Sequence, residues 1–397
     1  MMESIEAVGD LNKMMGNRVR RLHKHVEILT TADPEELLRW LDRLTVLVQN
    51  ACRYPELVPT AADLALEAYP HSERRGASAY WQPTFNLLRH ALAGSGHPTQ
   101  EVQVLNRLGQ QHRLQSELEP ALSHHQEALN LAYHLEESQW LAQTNWHLAE
   151  AYRFQRQFDL ARNHALQAWQ FWQETDAEPE RWRGAVANTL GIIAASQKDY
   201  ETAAVYFEQA RATHLQLNLP IEVGRNLLNL GWVAMEQKEL ERARVCYEMA
   251  LEWVGDNTAD KIPILNNIGS LYVAQEQYQQ ALQTFYEAEH LLSQTKIQPL
   301  RQAEVTHNIA YALLNLEQWE QAIAVAQKAA GYWEALAEPV QLSSLLSILA
   351  RASAAHGERE EALASYDRAL ALVETLPDQQ KWRQTLQEWR QALSDNL

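Results

Sequence analysis

The stretch Asn266-Asn267-Ile268-Gly269-Ser270-Leu271-Tyr272, followed by Tyr278, Ala281, Phe285 and Ala288, decides the fold because its spacing returns along the chain. A large apolar residue followed by Gly or Ala recurs as Leu108-Gly109, Leu148-Ala149, Leu190-Gly191, Leu230-Gly231, Ile268-Gly269, Ile309-Ala310 and Leu349-Ala350. The steps between them are 40, 42, 40, 38, 41 and 40 residues. Thirteen positions after each large residue stands alanine: Ala121, Ala161, Ala203, Ala243, Ala281, Ala322 and Ala362. Twenty positions after it alanine stands again: Ala128, Ala168, Ala210, Ala250, Ala288, Ala329 and Ala369. The pattern predicts seven repeats, each of two amphipathic helices, A and B. The small residue of helix A lets helix B approach. The two alanines of helix B lie seven apart on one face and admit its neighbours. One such pair cannot bury its apolar face alone, so repeats stack and share a continuous core.

Prolines give a second reading of the same period. Pro179, Pro220, Pro263, Pro299, Pro339 and Pro377 are 41, 43, 36, 40 and 38 residues apart. Each is expected between a B helix and the next A helix, or in the first turn of that A helix, where a residue without an N–H is tolerated.

These residues resemble the tetratricopeptide repeat (TPR), and the resemblance covers roughly 98–376. Its carriers are the large-small pair, an aromatic at the turn (Phe158, Tyr200, Tyr278, Trp319), the first alanine, Phe or Tyr (Phe207, Tyr247, Phe285, Tyr366), and the second alanine. A period near 40 departs from the usual value of about 34. It is similar to the long-helix subgroup of kinesin light chains and bacterial Rap-type peptide receptors. The resemblance implies an all-α, right-handed superhelical solenoid of seven helix-turn-helix repeats. Residues 1–97 are expected to form an irregular helical region, with a degenerate repeat at 35–70 in which Val48, Ala61 and Ala68 keep the spacing. A soft boundary falls at 94–98. Residues 377–397 are expected to form an amphipathic capping helix, with Trp382, Leu386, Trp389 and Leu393 on one stripe.

Composition bounds the function. The 397 residues carry a formal net charge of −17. Residues 101–397 hold 23 basic and 39 acidic side chains. Such a surface repels phosphate backbones, so nucleic acid is a poor partner and a basic protein a better one. A basic cluster at residues 13–25 reads as a solvated helix face. Neither a secretory signal nor a membrane-length apolar run is present. Cys52 and Cys246 read as buried small hydrophobes, and the protein as soluble and cytoplasmic. No Gly-rich phosphate loop, metal spacing or nucleophile motif occurs, and neither catalysis nor a cofactor is expected.

In TPR proteins the A helices line a concave groove. The residues just before the large-small pairs are Arg107, His147, Thr189, Asn229, Asn267, Asn308 and Ile348. An amide side chain can pair with both N–H and C=O of an extended backbone. In kinesin light chains and Rap-type receptors, asparagines at this position do so, which implies Asn229, Asn267 and Asn308 in repeats 4–6. Neighbouring candidates are Arg225, Asn226, Trp232, Asn266 and Tyr311, with Trp146 and Arg153 as a separate patch. The competing reading makes these asparagines caps or inter-repeat hydrogen bonds. The expected work is binding an extended peptide or helix of a partner protein, as a scaffold. The alternatives are a peptide-gated regulator of Rap type, or an adaptor or sensor subunit of a defence or assembly complex.

Overall fold

The computed structural model describes residues 17, 34–73, 81–135, 137–174, 181–295, 299–374 and 376–395. Eighteen α-helices make up these residues, and no strand occurs among them. The basic cluster expected at residues 13–25, apart from Asn17, and Pro179 lie outside the described residues. The chain divides into two compact units, 1–213 and 214–397.

The first unit opens with α1 (Pro34–Ala51), α2 (Val58–Glu73) and α3 (Trp81–Leu92). Their core joins Leu41, Leu44, Val48, Ala61, Ala68 and Phe85 to Val104 and Leu108 of the next helix. Core packing therefore continues across 94–98. Tyr69, Trp81 and Phe85 form an aromatic triplet with ring centroids 5.4–5.7 Å apart. Repeats 1 to 3 follow as α4 (Pro98–Leu114) with α5 (Leu118–Ala132), α6 (Ser138–Phe154) with α7 (Phe158–Glu174), and α8 (Arg181–Ser196) with α9 (Tyr200–Gln216). The last turn of α9 counts with the second unit.

The second unit holds repeats 4 to 7: α10 (Pro220–Glu236) with α11 (Leu240–Val254), α12 (Thr258–Ala274) with α13 (Tyr278–Ser293), α14 (Pro299–Asn315) with α15 (Trp319–Ala335), and α16 (Pro339–His356) with α17 (Arg359–Val373). A 3-10 turn, Pro377–Gln379, leads into α18 (Gln380–Asp395). Leu386 of α18 is fully buried in the core of this unit, flanked by the partly buried Trp382 and Leu393. The Trp382 indole donates to Ser343 Oγ at 3.0 Å.

All fourteen repeat alanines are fully buried. Size matching across each A–B pair explains the Gly or Ala choice. The residue seventeen after the large one packs on the small one. Gly109 faces His125, Gly191 faces Phe207, Gly231 faces Tyr247 and Gly269 faces Phe285. A Cβ on Gly191 would sit 2.6 Å from the Phe207 ring. Where the small residue is Ala149 or Ala310, the facing position is itself alanine, Ala165 or Ala326. Repeat 7 departs from this, with Ala350 and Tyr366.

The A–B turn is equally regular. The residue eight after the large one has φ near +60° in six repeats: Ser116, Arg156, Lys198, Lys238, Glu276 and Glu317; Gly357, at φ +96°, holds the place in the seventh. The following N–H bonds back to the carbonyl five residues earlier, as in Glu117 to His112 at 2.8 Å and Gln277 to Tyr272 at 2.8 Å. This is the Schellman closure of an α-helix.

Four A helices start on proline, Pro98, Pro220, Pro299 and Pro339. Pro263 corrects the expectation: it lies inside α12, the sixth residue of that helix. The linker before α12 is only Gly255–Asn257, and Asn257 caps the helix by accepting from the Asp260 N–H. The helix therefore begins well before the proline. Cys52 and Cys246 are half-buried rather than buried.

Candidate functional site on the A-helix faces

In the second unit the expected residues fall on α10, α12 and α14. Asn229, Asn267 and Asn308 are all half-buried, as are Asn266, Trp232 and Tyr311. Asn308 Nδ2 donates to Asn266 Oδ1 at 2.9 Å, which links repeats 5 and 6. Asn267 shares a hydrogen bond with the Tyr247 hydroxyl of repeat 4, whose pKa burial raises. An amide has more donor and acceptor capacity than one such bond uses. Arg225 is exposed. Its Nε donates to Asp260 Oδ1 at 2.7 Å, and Nη1 donates to Glu222 at 3.2 Å. Asn315 Nδ2 donates to the Tyr311 carbonyl oxygen at 2.7 Å.

Asn226 departs from the expectation. It is 1% exposed and its Oδ1 lies 2.7 Å from His214 Nδ1. Buried against His214 within the second unit, it presents nothing to a ligand.

In the first unit Trp146 and Arg153 belong to one hydrogen-bonded chain. The Trp146 indole donates to Thr189 Oγ1 at 2.9 Å, and Thr189 Oγ1 donates to Glu150 Oε1 at 2.9 Å. Arg153 clamps Glu150 through Nε at 3.1 Å and Nη2 at 2.8 Å. Burial works against the Glu150 charge, but Arg153, Arg113 and the Thr189 hydroxyl hold its carboxyl below the usual range. Arg153 and Arg113 both lie over the Phe154 ring, at 4.4 and 4.9 Å. Trp146 packs edge-on against Trp182 at 5.1 Å.

Sequence reading missed a buried polar layer in the same unit. Asn106 Nδ2 donates to Thr144 Oγ1 at 2.8 Å, and Asn106 Oδ1 lies 3.1 Å from His125 Nδ1. The His125 ring stacks on His147 at 5.1 Å. Both imidazoles are fully buried, and neither Nε2 has a hydrogen-bond partner. Burial first, and the Arg113 charge next, push the His125 pKa down to about 3. His147 falls well below its ordinary value for the same first reason, with His125, Arg107 and Arg113 adding to it. The available signal was positional: His125 occupies the slot that Phe207, Tyr247 and Phe285 fill elsewhere. Among the described residues no group of His, Cys, Asp and Glu is placed to hold a metal ion. No described helix is long and apolar enough to cross a membrane.

Antiparallel helix pairs, joined by Schellman turns and packed through alanine, define a helical-repeat protein. The profile of the tetratricopeptide repeat matches residues 140–216 and 222–293, and a second profile of that repeat matches 345–380. The chain is therefore a tetratricopeptide repeat protein. No curated protein matches it in sequence. Among solved structures it is similar to a Rap protein complexed with Competence and Sporulation Factor, at 13% identity and TM-score 0.62, covering 93% of this chain and 99% of that one. The apo quorum sensor NprR from B. thuringiensis is similar at 12% identity and TM-score 0.60, over 91% and 99%. Aspartyl phosphate phosphatase F from Bacillus subtilis is similar at 14% identity and TM-score 0.57, over 91% and 94%. At these identities the likeness is one of fold.

Proposed function

We propose that the chain is a non-catalytic interaction module whose second unit holds an extended peptide or a helix of a partner protein on the A-helix face of repeats 4–6. The observation that carries this is the amide row: Asn229, Asn267 and Asn308 recur at one position of successive A helices and stay half-buried. Arg225, Trp232 and Tyr311 share those helices, and an aromatic beside arginine is a frequent anchor of interfaces. Two of the three amides also bridge repeats, so they serve the fold as well as a ligand. The surplus of acidic side chains favours a basic partner.

The test is affinity capture from host lysate with wild type beside Asn229→Ala/Asn267→Ala/Asn308→Ala, and separately Trp232→Ala, with circular dichroism and melting to check folding. Loss of the same dominant partner in both folded variants is the expected result. Retention in both returns the asparagines to a purely structural role.

Peptide gating is a second reading, favoured by the likeness over 93% of the chain to a Rap protein solved with a signalling factor. A gated regulator compacts on binding a short peptide, which small-angle scattering reads as a smaller radius of gyration. A scaffold, or an adaptor subunit of a larger complex, captures a folded partner without that change.

A further inference from the structure

A cavity of about 560 Å³ lies in the second unit between residues of α14 to α17 and the last turn of α18. Its walls include Trp319, Tyr366, Leu314 and Leu393, with Arg351 and Glu317 as its charged lining. The Arg351 guanidinium stands 5.7 Å from the centre of the Trp389 ring. Among the described residues it has no ion pair, unlike Arg225, Arg368 and Arg390 of the same unit. A half-buried guanidinium against an aromatic wall is an anion site in waiting, since a carboxylate gives it a two-point partner at low desolvation cost.

The cavity is built rather than accidental. Its α18 wall is pinned at three places. Arg359 caps the last turn by donating to the carbonyl oxygens of Leu393 and Ser394. Arg390 pairs with Asp367 of α17. Trp382 is tied to Ser343. A wall held in advance lowers the ordering cost of binding. Size also speaks: a volume of this order is that of a small-ligand site and takes a few residues of peptide, not a folded surface.

We propose that this cavity receives the carboxylate end of a short peptide or peptide tail, with Arg351 pairing with the terminal carboxylate and the Trp319–Tyr366 wall taking an apolar last side chain. Glu317 selects against a second anionic group, so an acidic last side chain is excluded. The proposal rests on the peptide-binding reading of the A-helix face, and it adds a direction: the ligand's C-terminus lies at the repeat-7 end.

The test uses the full chain labelled with 5-fluorotryptophan, followed by fluorine NMR, with the Trp319 and Trp389 resonances assigned through Trp319→Phe and Trp389→Phe. The probes are acetyl-Ala-Leu-Phe as the free acid, the same tripeptide as its C-terminal amide, and acetyl-Ala-Leu-Glu as the free acid. The expected result is a saturable shift of both resonances by the Phe acid, with the amide and the Glu acid weaker by about tenfold or more. Arg351→Gln removes the preference for acid over amide. Ala355→Trp, which fills the open side of the cavity without touching the core, abolishes binding of every probe. Equal titration by acid and amide overturns the proposal, as does the absence of any shift at Trp319 and Trp389 at millimolar probe. Partner capture that fails while the tripeptide acid still binds overturns the groove reading and leaves the cavity standing. The converse overturns the cavity alone.

Discussion

At the scale of the residue, this protein is a set of matched pairs. Each glycine of a large-small pair stands where an aromatic ring of helix B occupies the space its side chain would need. Gly269→Ala drives a methyl into the Phe285 ring. With backbone-anchored helices on both sides, the expected cost is about 1–3 kcal/mol. Phe285→Ala alone leaves a cavity and costs about 3–5 kcal/mol. The double variant recreates the Ala–Ala pairing of Ala149 with Ala165 and of Ala310 with Ala326, so its cost should fall well below the sum of the two. Amide hydrogen exchange across α12 and α13 measures this locally, as suits a repeat array that need not unfold in one step. Additive costs would show that the pairing is not what sets the choice of glycine.

At the scale of the element, helices were legible and their closures were not. The periods of apolar and small residues placed every A and B helix, and the stripe Trp382, Leu386, Trp389, Leu393 placed α18. The turn residues escaped because a left-handed position normally announces itself by Gly or Asn, whereas here it carries Ser, Arg, Lys or Glu in six repeats. The helix positions of the candidate residues were legible to the same degree. The amide row lies on its helices as the repeat register requires, but Asn226, four residues before Leu230 rather than next to it, turned inward to His214. Burial depends on a helix face to within one residue, and register alone does not supply that. Pro263 misled because spacing located it while the short Gly255–Asn257 linker moved the helix start. The left-handed turns carry a prediction. Lys238 sits at φ +62° with its side chain on an exposed turn. Its left-handed backbone costs about 1–2 kcal/mol, and glycine returns part of that as unfolded-chain entropy. Lys238→Gly should therefore stabilise repeat 4 by roughly 0.5 kcal/mol, read as slower exchange in α10 and α11. Destabilisation would mean that the lysine makes a contact outweighing the backbone strain.

At the scale of the whole molecule, the two units share one repeat but not one chemistry. The amide row and the Arg351 cavity belong to residues 214–397, while the stacked imidazoles belong to residues 1–213. That asymmetry predicts staged acid unfolding. His125 and His147 are held neutral in the folded first unit, with His125 pushed down to about 3. Once unfolded, each regains an ordinary value near 6.5. Below about pH 6.5 the unfolded chain therefore binds protons that the folded chain refuses. Stability is full above that pH and is lost as pH falls toward the folded values, by about 1.4 kcal/mol per pH unit for each imidazole that stays neutral. His124, pushed to about 4 chiefly by burial, pulls in the same direction. In the second unit His307, also pushed to about 4 by burial, stands without a stacked histidine partner. The first unit should therefore open at a higher pH than the second. Pulse-labelled hydrogen exchange, with labelling at one fixed pH after incubation from pH 7 to pH 4, separates α4–α8 from α12–α17. His125→Phe keeps a ring on Gly109 in the manner of Phe207. It strands the Asn106 carbonyl at a cost of about 1–3 kcal/mol at neutral pH, yet it takes one proton out of the acid transition. The slope of stability against pH for the first unit should fall accordingly between pH 6 and 4, and an unchanged slope would remove His125 from the account.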